Sequence, residues 1–342
     1  PKTELKDFIM ALLASGQLTL ADWAKRLDPN GQVPAVAELL SQTNEILEDA
    51  VFQEGNLPTG HRVVIRTGLP TVYWRTLNAG VPTSKSTTAQ VDEACGMMEA
   101  RSHIDVKLAK LNGNTASFRL SEDSAFIESM NQLQAETMFY GNPAVDPKTY
   151  LGLATRYGSL SAGNSQNILD AGGTGTDNTS IYMVVWGSNT VFCPFPKGSI
   201  AGLQHRDLGE ESVPDADGNY YQALRTLYQW ENGLVVKDWR YVVRICNIDV
   251  SNLVGESSAA DLVKLMSRAM DRVPNMSMGR AVFYMNRTVY SMLRIQALDK
   301  SQSAVAISPA ITQFGQPTKW TDFLGVPLRK VDQLLNTEAR VV

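Results

Sequence analysis

Cysteine and histidine together number six in this 342-residue chain: Cys95, Cys193, Cys246, His61, His103 and His205. A thiolate nucleophile needs a base to activate it, and Cys193 with His205 offers such a pairing. Cys193, however, lies between Phe192 and Pro194-Phe195, an apolar setting that leaves a thiol inert. A buried structural cysteine is the favoured reading. Glu210, Glu211, Asp215 and Asp217 gather the oxygen ligands that calcium prefers, but without the twelve-residue loop spacing. They read as a solvated hairpin tip. The glycine-rich run Ala171–Thr176 leads into a strand-like segment, Ile181–Trp186, so the anion site of a helix N-terminus is missing. Lys85 is the only lysine between Lys25 and Lys107; a reactive and a contact residue are both open readings, and a merely exposed lysine is the commoner one. P-loop, GxGxxG, HExxH and GxSxG motifs do not occur. The residues themselves therefore yield no catalytic, cofactor-binding or metal site.

Composition narrows the remaining classes. The 31 Lys and Arg against 35 Asp and Glu give a net charge of −4. That argues against a basic nucleic-acid reader and a polybasic membrane binder. Charged residues are 19% and apolar residues 44%. The chain is therefore neither disordered nor well supplied with charge for a solvated surface. Three widely spaced cysteines without a CxxC fit a reducing compartment rather than a disulfide or zinc framework. No signal peptide or membrane span is expected: the uncharged stretch Asn178–Pro196 is broken by Gly187-Ser188-Asn189-Thr190 into two short strands and a turn. At roughly 150 residues per domain, the length suggests about two domains.

The elements that must position any function follow from the apolar periodicity. Leu5, Phe8, Ile9 and Leu12 mark one helical face, Trp23 and Leu27 a second helix, and Val36 to Ala50 a third. Their stripes are too short to form a core alone. His61–Thr67 and Thr71–Leu77 are rich in β-branched and aromatic residues and read as extended. Asn78–Gln90 reads as a polar loop, and Ile104, Val106 and Leu108 alternate as a returning strand. This predicts a projecting hairpin, which is marginal alone in water. Ser121 is the expected start of a long helix to about Tyr140, with Glu122 and Asp123 in its first turn. Its expected apolar face is Phe126, Ile127, Met130, Leu133, Thr137 and Met138, and Gly141 its C-cap. Asn232-Gly233 predicts a hairpin turn, as does Asp215-Ala216-Asp217-Gly218. Ser257–Val273 reads as an amphipathic helix, Ala281–Met285 as a buried strand, Asn286 as the cap of another helix, and Phe323–Val331 as a final strand.

This order of parts resembles the major capsid proteins of tailed bacteriophages. Four segments carry the likeness: AELLSQTNEILEDAVFQEGN (37–56), AETMFYGNPAVDPKTYLGLATRYG (135–158), GRAVFYMNRTVYSMLR (279–294) and TDFLGVPLRKVDQLL (321–335). They are similar to the arm, the end of the spine helix, a strand–helix element and the C-terminal strand of the podovirus branch. The resemblance implies an α+β fold of the Hong Kong phage type. Its expected parts are an N-terminal helical arm (1–58), an extended hairpin or E-loop (59–112), a spine helix with a β-rich peripheral region (113–254), and an axial α/β region with the returning strand (255–342). The implied function is that of a self-assembling tile of an icosahedral shell around double-stranded DNA, bound without sequence specificity. Hexamers and pentamers of this chain, a portal protein, and scaffolding or decoration proteins are the implied partners. No cofactor and no membrane are implied, and the setting is the virion, assembled in the bacterial cytoplasm. Expected assembly contacts are Asn78, Val81, Lys85 and Gln90 on the hairpin and Leu39 and Ile46 on the arm. Some family members cross-link a hairpin lysine to a neighbouring asparagine. The polar surroundings of Lys85 (Ser84, Ser86, Thr87, Thr88) keep its ammonium hydrated, so no cross-link is expected. Two alternatives stay open: a nanocompartment shell of the same fold, and a cytosolic cysteine hydrolase using Cys193 and His205.

Overall fold

The computed structural model describes residues 42–111, 115–215, 217–256, 258–299, 305–311 and 317–342. The expected helices before residue 42 lie outside the described residues. Among the described residues, fourteen strands follow in chain order: β1 (Phe52–Glu54), β2 (Gly60–Gly68), β3 (Thr87–Asp105), β4 (Ile168–Asp170), β5 (Asn178–Trp186), β6 (Val191–Phe195), β7 (Gln204–Pro214), β8 (Tyr220–Gly233), β9 (Val235–Val236), β10 (Val242–Asp249), β11 (Arg280–Met285), β12 (Val305–Ile311), β13 (Pro317–Phe323) and β14 (Val326–Lys330). The chain divides into two units. The larger comprises Gln42–Met97, Gln134–Gly202 and Glu231–Val342; the smaller includes Met98–Leu133 and Leu203–Trp230.

The larger unit is organised by β5, all nine of whose residues are buried. Successive side chains of a strand point to opposite faces, and β5 obeys this. Ile181, Met183 and Val185 enter one core cluster with Val243, Ile245, Phe283 and Met285. Tyr182, Val184 and Trp186 enter a second with Val242, Val282 and Tyr284. The first face is covered by Leu262, Met266 and Ala269 of the helix Leu262–Arg272 and by Val289 and Leu293 of the helix Arg287–Asp299. The second is covered by Ala135, Met138 and Phe139 at the end of the long helix Thr115–Tyr140, and by Leu334 and Val341. Within the sheet, β5 lies antiparallel to both β10 and β11, and β11 lies parallel to β14.

A buried ion pair ties the second face together. The side chains of Arg244 and Glu338 are each 5% exposed and meet at 2.8 Å. Arg244 also donates to the carbonyls of Ala154 (3.1 Å) and Tyr157 (2.9 Å) and to Ser180 Oγ (3.1 Å). Glu338 accepts from the hydroxyls of Tyr140 and Ser180, and its backbone N–H donates to Asn178 O at 2.8 Å. A second buried carboxylate, Asp49, is held by Arg280 (2.8 Å) and Arg329 (3.0 Å).

In the smaller unit β7 and β8 form an antiparallel hairpin around Asp215, whose carboxylate accepts the N–H groups of Asp217 (3.0 Å) and Asn219 (2.8 Å). The expected hairpin tip is present. Ile104, Ala109 and Phe118 form a small cluster with Leu224. Arg119 pairs with Asp207 at 2.9 Å.

Several expectations are corrected. The long helix begins at Thr115, not Ser121, because burial of Phe118 against Ile104 recruits an earlier turn. Glu122 and Asp123 thus sit well inside it. Ile127 and Leu133 are exposed, and the buried face near its end is Gln134, Ala135, Met138 and Phe139. Gly141 follows the helix without a left-handed φ; a Cβ there would meet Tyr150 O at 2.2 Å. Asn232-Gly233 makes no hairpin turn. β8 pairs with β7 and β9 with β6, and Gly233 answers to a close approach, its Cβ position lying 2.7 Å from Ala94 O. β3 ends at Asp105, whose carboxylate accepts the N–H of Lys107 at 2.7 Å and starts one helical turn, Val106–Ala109. Of the expected arm helix from Val36 to Ala50, the described part is the single turn Ile46–Asp49. The final strand is two, β13 and β14, joined at Leu324-Gly325 with φ of 49° and 83°, the signature of a two-residue primed turn. The expected helix from Ser257 starts at Leu262, with Asp261 as its cap.

Two stability predictions result. Val326 and Leu328 are buried as expected, each 6% exposed. Leu328→Ala should cost about 2–5 kcal/mol, read as a lower denaturant midpoint of the unassembled subunit. Glu338→Ala leaves the Arg244 guanidinium buried and uncompensated, a change costing about 3–5 kcal/mol. A loss below about 0.5 kcal/mol in either variant would contradict the core described above.

Candidate assembly surface

The hairpin β2–β3 is built by eight matched residue pairs, from Gly60↔Ala94 to Gly68↔Thr87, with a bulge between Arg66 and Gly68. Its strands are fixed at the root. Arg62 grips Asp92 through two bonds of 2.6 and 2.7 Å. Glu93 receives two more from Arg156 at 2.7 and 2.6 Å, and Arg156 also donates to Leu234 O at 2.9 Å. Val63 packs with Phe192 and Val235, and the His61 ring meets Phe192 edge-on at 5.2 Å. Burial, then the nearby Lys237 charge, lowers the His61 pKa, favouring the neutral ring.

Beyond this root the chain has little to hold it. Residues 69–86 form no ladder. The expected strand Thr71–Leu77 is therefore absent, since no neighbouring backbone pairs with it. Ser84 Oγ donates to Thr71 O at 2.8 Å, Ala79 N–H to Thr76 O at 3.3 Å, and Asn78 adopts a left-handed φ of 65°, which asparagine tolerates better than most residues. The polar loop ends earlier than expected: Thr87–Gln90 belong to β3.

The surface of this hairpin is unusual for a polypeptide in water. Leu69, Val72, Trp74 and Leu77 are 80%, 88%, 103% and 93% exposed. Val64, Tyr73, Val81, Val91 and Met97 are exposed as well. Single exposed apolar residues are ordinary, but a contiguous set marks a contact surface. Of the expected contact residues, Asn78, Val81, Lys85 and Gln90 are all exposed, the last on β3 opposite Val64. Leu39 lies outside the described residues. Ile46 is fully buried in the second core cluster. Trp74 and its neighbours are not legible as an exposed surface in the sequence, because aromatic and β-branched residues equally signal a strand.

The chemical candidates are also placed. Cys193 is fully buried, and burial raises its thiol pKa. Burial pushes Cys95 and Cys246 each up to about 11, far from the thiolate that nucleophilic catalysis requires. The His205 ring rests against Tyr228 at 5.3 Å. Among the described residues no group of three or more His, Cys, Asp or Glu is placed to hold a metal. A cleft of about 910 Å³ runs along β2, lined by Val63–Leu69, Leu151, Arg156, Tyr157 and Val236–Arg240 among others. Its Glu93 and Arg156 are committed to each other.

Comparison with known proteins places these features. The family model "Major capsid protein GP7" matches residues 28–342. A chain from the near-atomic structure of bacteriophage Epsilon15 is 32% identical, superposes with a TM-score of 0.74, and is matched over 97% of this chain and 99% of that one. The bacteriophage JBD30 capsid shares the fold at 10% identity, with a TM-score of 0.51 and coverage of 92% and 99%. No curated protein sequence matches. The α+β fold is thus the phage capsid fold, and the chain belongs to the major capsid protein GP7 family, whose members build the capsid shell.

Proposed function

We propose that this capsid protein forms the tiles of an icosahedral shell by laying its β2–β3 hairpin, the E-loop, across a neighbouring copy. The observation that carries this reading is the exposure of Leu69, Val72, Trp74 and Leu77 at the end of a hairpin fastened only at its root. Apolar groups of this size favour a partner over water, each fully buried side chain contributing about 1.5–3 kcal/mol. Asn78, Val81, Lys85 and Gln90 supply contacts around that apolar set. Ile46, buried in its own chain, anchors the root of the N-terminal arm, and Leu39 of that arm is a proposed contact. Closure into hexamers and pentamers multiplies each weak contact. The portal, scaffolding and decoration proteins are the partners of such a shell, and the host cytoplasm is where it assembles. The net charge of −4 suits a wall past which double-stranded DNA slides without sequence-specific contact. The working division of the tile remains arm 1–58, E-loop 59–112, spine and peripheral region 113–254, and axial region 255–342.

Replacing residues 69–86 by a short Gly-Ser turn should leave the circular dichroism of the subunit near wild type and abolish closed shells in negative stain. Normal particles from this variant would refute the assignment. Lys85 is exposed among hydroxyl side chains, and no covalent joining of subunits is proposed. Boiled particles on a denaturing gel should therefore give one band at 37.5 kDa. A ladder of multiples lost in Lys85→Arg would establish the opposite.

A further inference from the structure

Two exposed hairpins of this chain are oppositely charged. From Gly55 to Val91 the sequence holds Arg62, Arg66, Arg75 and Lys85 and no Asp or Glu. From Gly209 to Leu224 it holds Glu210, Glu211, Asp215 and Asp217 and no Lys or Arg. The segregation stands out in a chain whose 31 basic and 35 acidic residues nearly balance. Some of these charges are satisfied internally: Arg62 by Asp92, and Glu211 by Arg225. Arg66, Arg75 and Lys85 are exposed and make no ion pair among the described residues, and the same holds for Glu210 and Asp217. Asp215 is exposed too, its carboxylate turned to the N–H groups of its own turn.

Like charges gathered on one hairpin repel one another, and a partner of opposite sign removes that cost. Each hairpin also bears apolar surface beside its charges: Trp74 next to Arg75 on one, Tyr220, 75% exposed, near Asp217 on the other. An aromatic anchor with a charged rim is the common anatomy of a protein contact. We propose that the basic tip of the E-loop in one copy docks on the acidic β7–β8 hairpin of the next, head to tail. This rests on the E-loop reading and adds its receptor. The contact is heterologous, so repetition around an axis closes a ring. Opposite charge also fixes which surface each tip selects during encounter. A nucleic-acid partner for the basic tip is disfavoured by the size of the apolar set between its charges.

Two variants test the pairing. One reverses the tip (Arg66→Glu, Arg75→Glu, Lys85→Glu); the other reverses the receptor (Glu210→Lys, Asp217→Lys). Each is produced alone, and a third chain carries all five reversals, beside the assembling wild-type protein; particles are counted by sedimentation and negative stain. All five positions are exposed, so circular dichroism should not change. Each variant alone should lose at least about tenfold in particle yield, because the repulsive contact recurs at every subunit. Carried in one chain, the five reversals should recover particles, since the acidic tip of each copy then meets the basic receptor of the next in rings of any size. That recovery also excludes misfolding as the cause of the single losses. Wild-type assembly by either variant alone, or no recovery by the folded chain that carries all five reversals, overturns the pairing. So does a tip-reversed variant that forms normal shells but fills them poorly with DNA, which would make the tip a DNA contact. If the Gly-Ser turn variant loses shells while charge reversal does not, the E-loop reading stands and only its receptor falls.

Discussion

The fold depends on covering β5 from both sides. A strand with nine buried residues cannot sit at the surface of a two-layer domain. It needs one apolar layer for Ile181, Met183 and Val185 and another for Tyr182, Val184 and Trp186. The helices Leu262–Arg272 and Arg287–Asp299 supply the first. The second is assembled from distant pieces: the end of the long helix, the turn at Ile46, and residues after Val331. At the polar start of the same strand, Ser180 sits where the Arg244–Glu338 pair closes. Breaking that pair strands a charge in a low-dielectric interior, so the polar contact specifies where the apolar pieces must land.

Much of this was legible in sequence. The uncharged run Asn178–Pro196 gave its two strands and its turn, because a continuous apolar segment punctuated by Gly and Asn leaves few alternatives. Asn286 capped its helix, with the N–H of Val289 donating to Asn286 Oδ1 at 2.8 Å. What failed were signals whose local meaning is overridden by a distant neighbour. Asn232-Gly233 has the composition of a turn, yet its glycine is required by the approach of Ala94. Ser121 has the composition of a helix start, yet Phe118 finds a core one turn earlier. Such distinctions belong to tertiary contacts, which local propensity does not encode.

The exposed surface of the hairpin was half legible. The soft region of the hairpin and the exposure of Asn78, Val81, Lys85 and Gln90 follow from polar composition. The apolar set from Leu69 to Leu77 was misread, for a reason rooted in physics. Residues that favour strands are the same ones that anchor interfaces, since both roles reward rigid, bulky side chains. In an isolated chain nothing separates a strand awaiting its ladder from an anchor awaiting its partner. Exposure separates them, and exposure is a property of the folded chain.

The closing of the second core face bears on when a subunit becomes competent. Thr43 N–H donates to the Asp332 carboxylate, 289 positions later, and Glu45 N–H to Lys330 O. Translation at roughly 5–20 residues per second separates the synthesis of those partners by about 15–60 s. Until then the turn at Ile46 has no completed core to enter. A nascent chain that has already formed its β2–β3 hairpin therefore still lacks a closed second core face. Synthesis of the last dozen residues is thus the step that turns a partly covered strand into a finished subunit core.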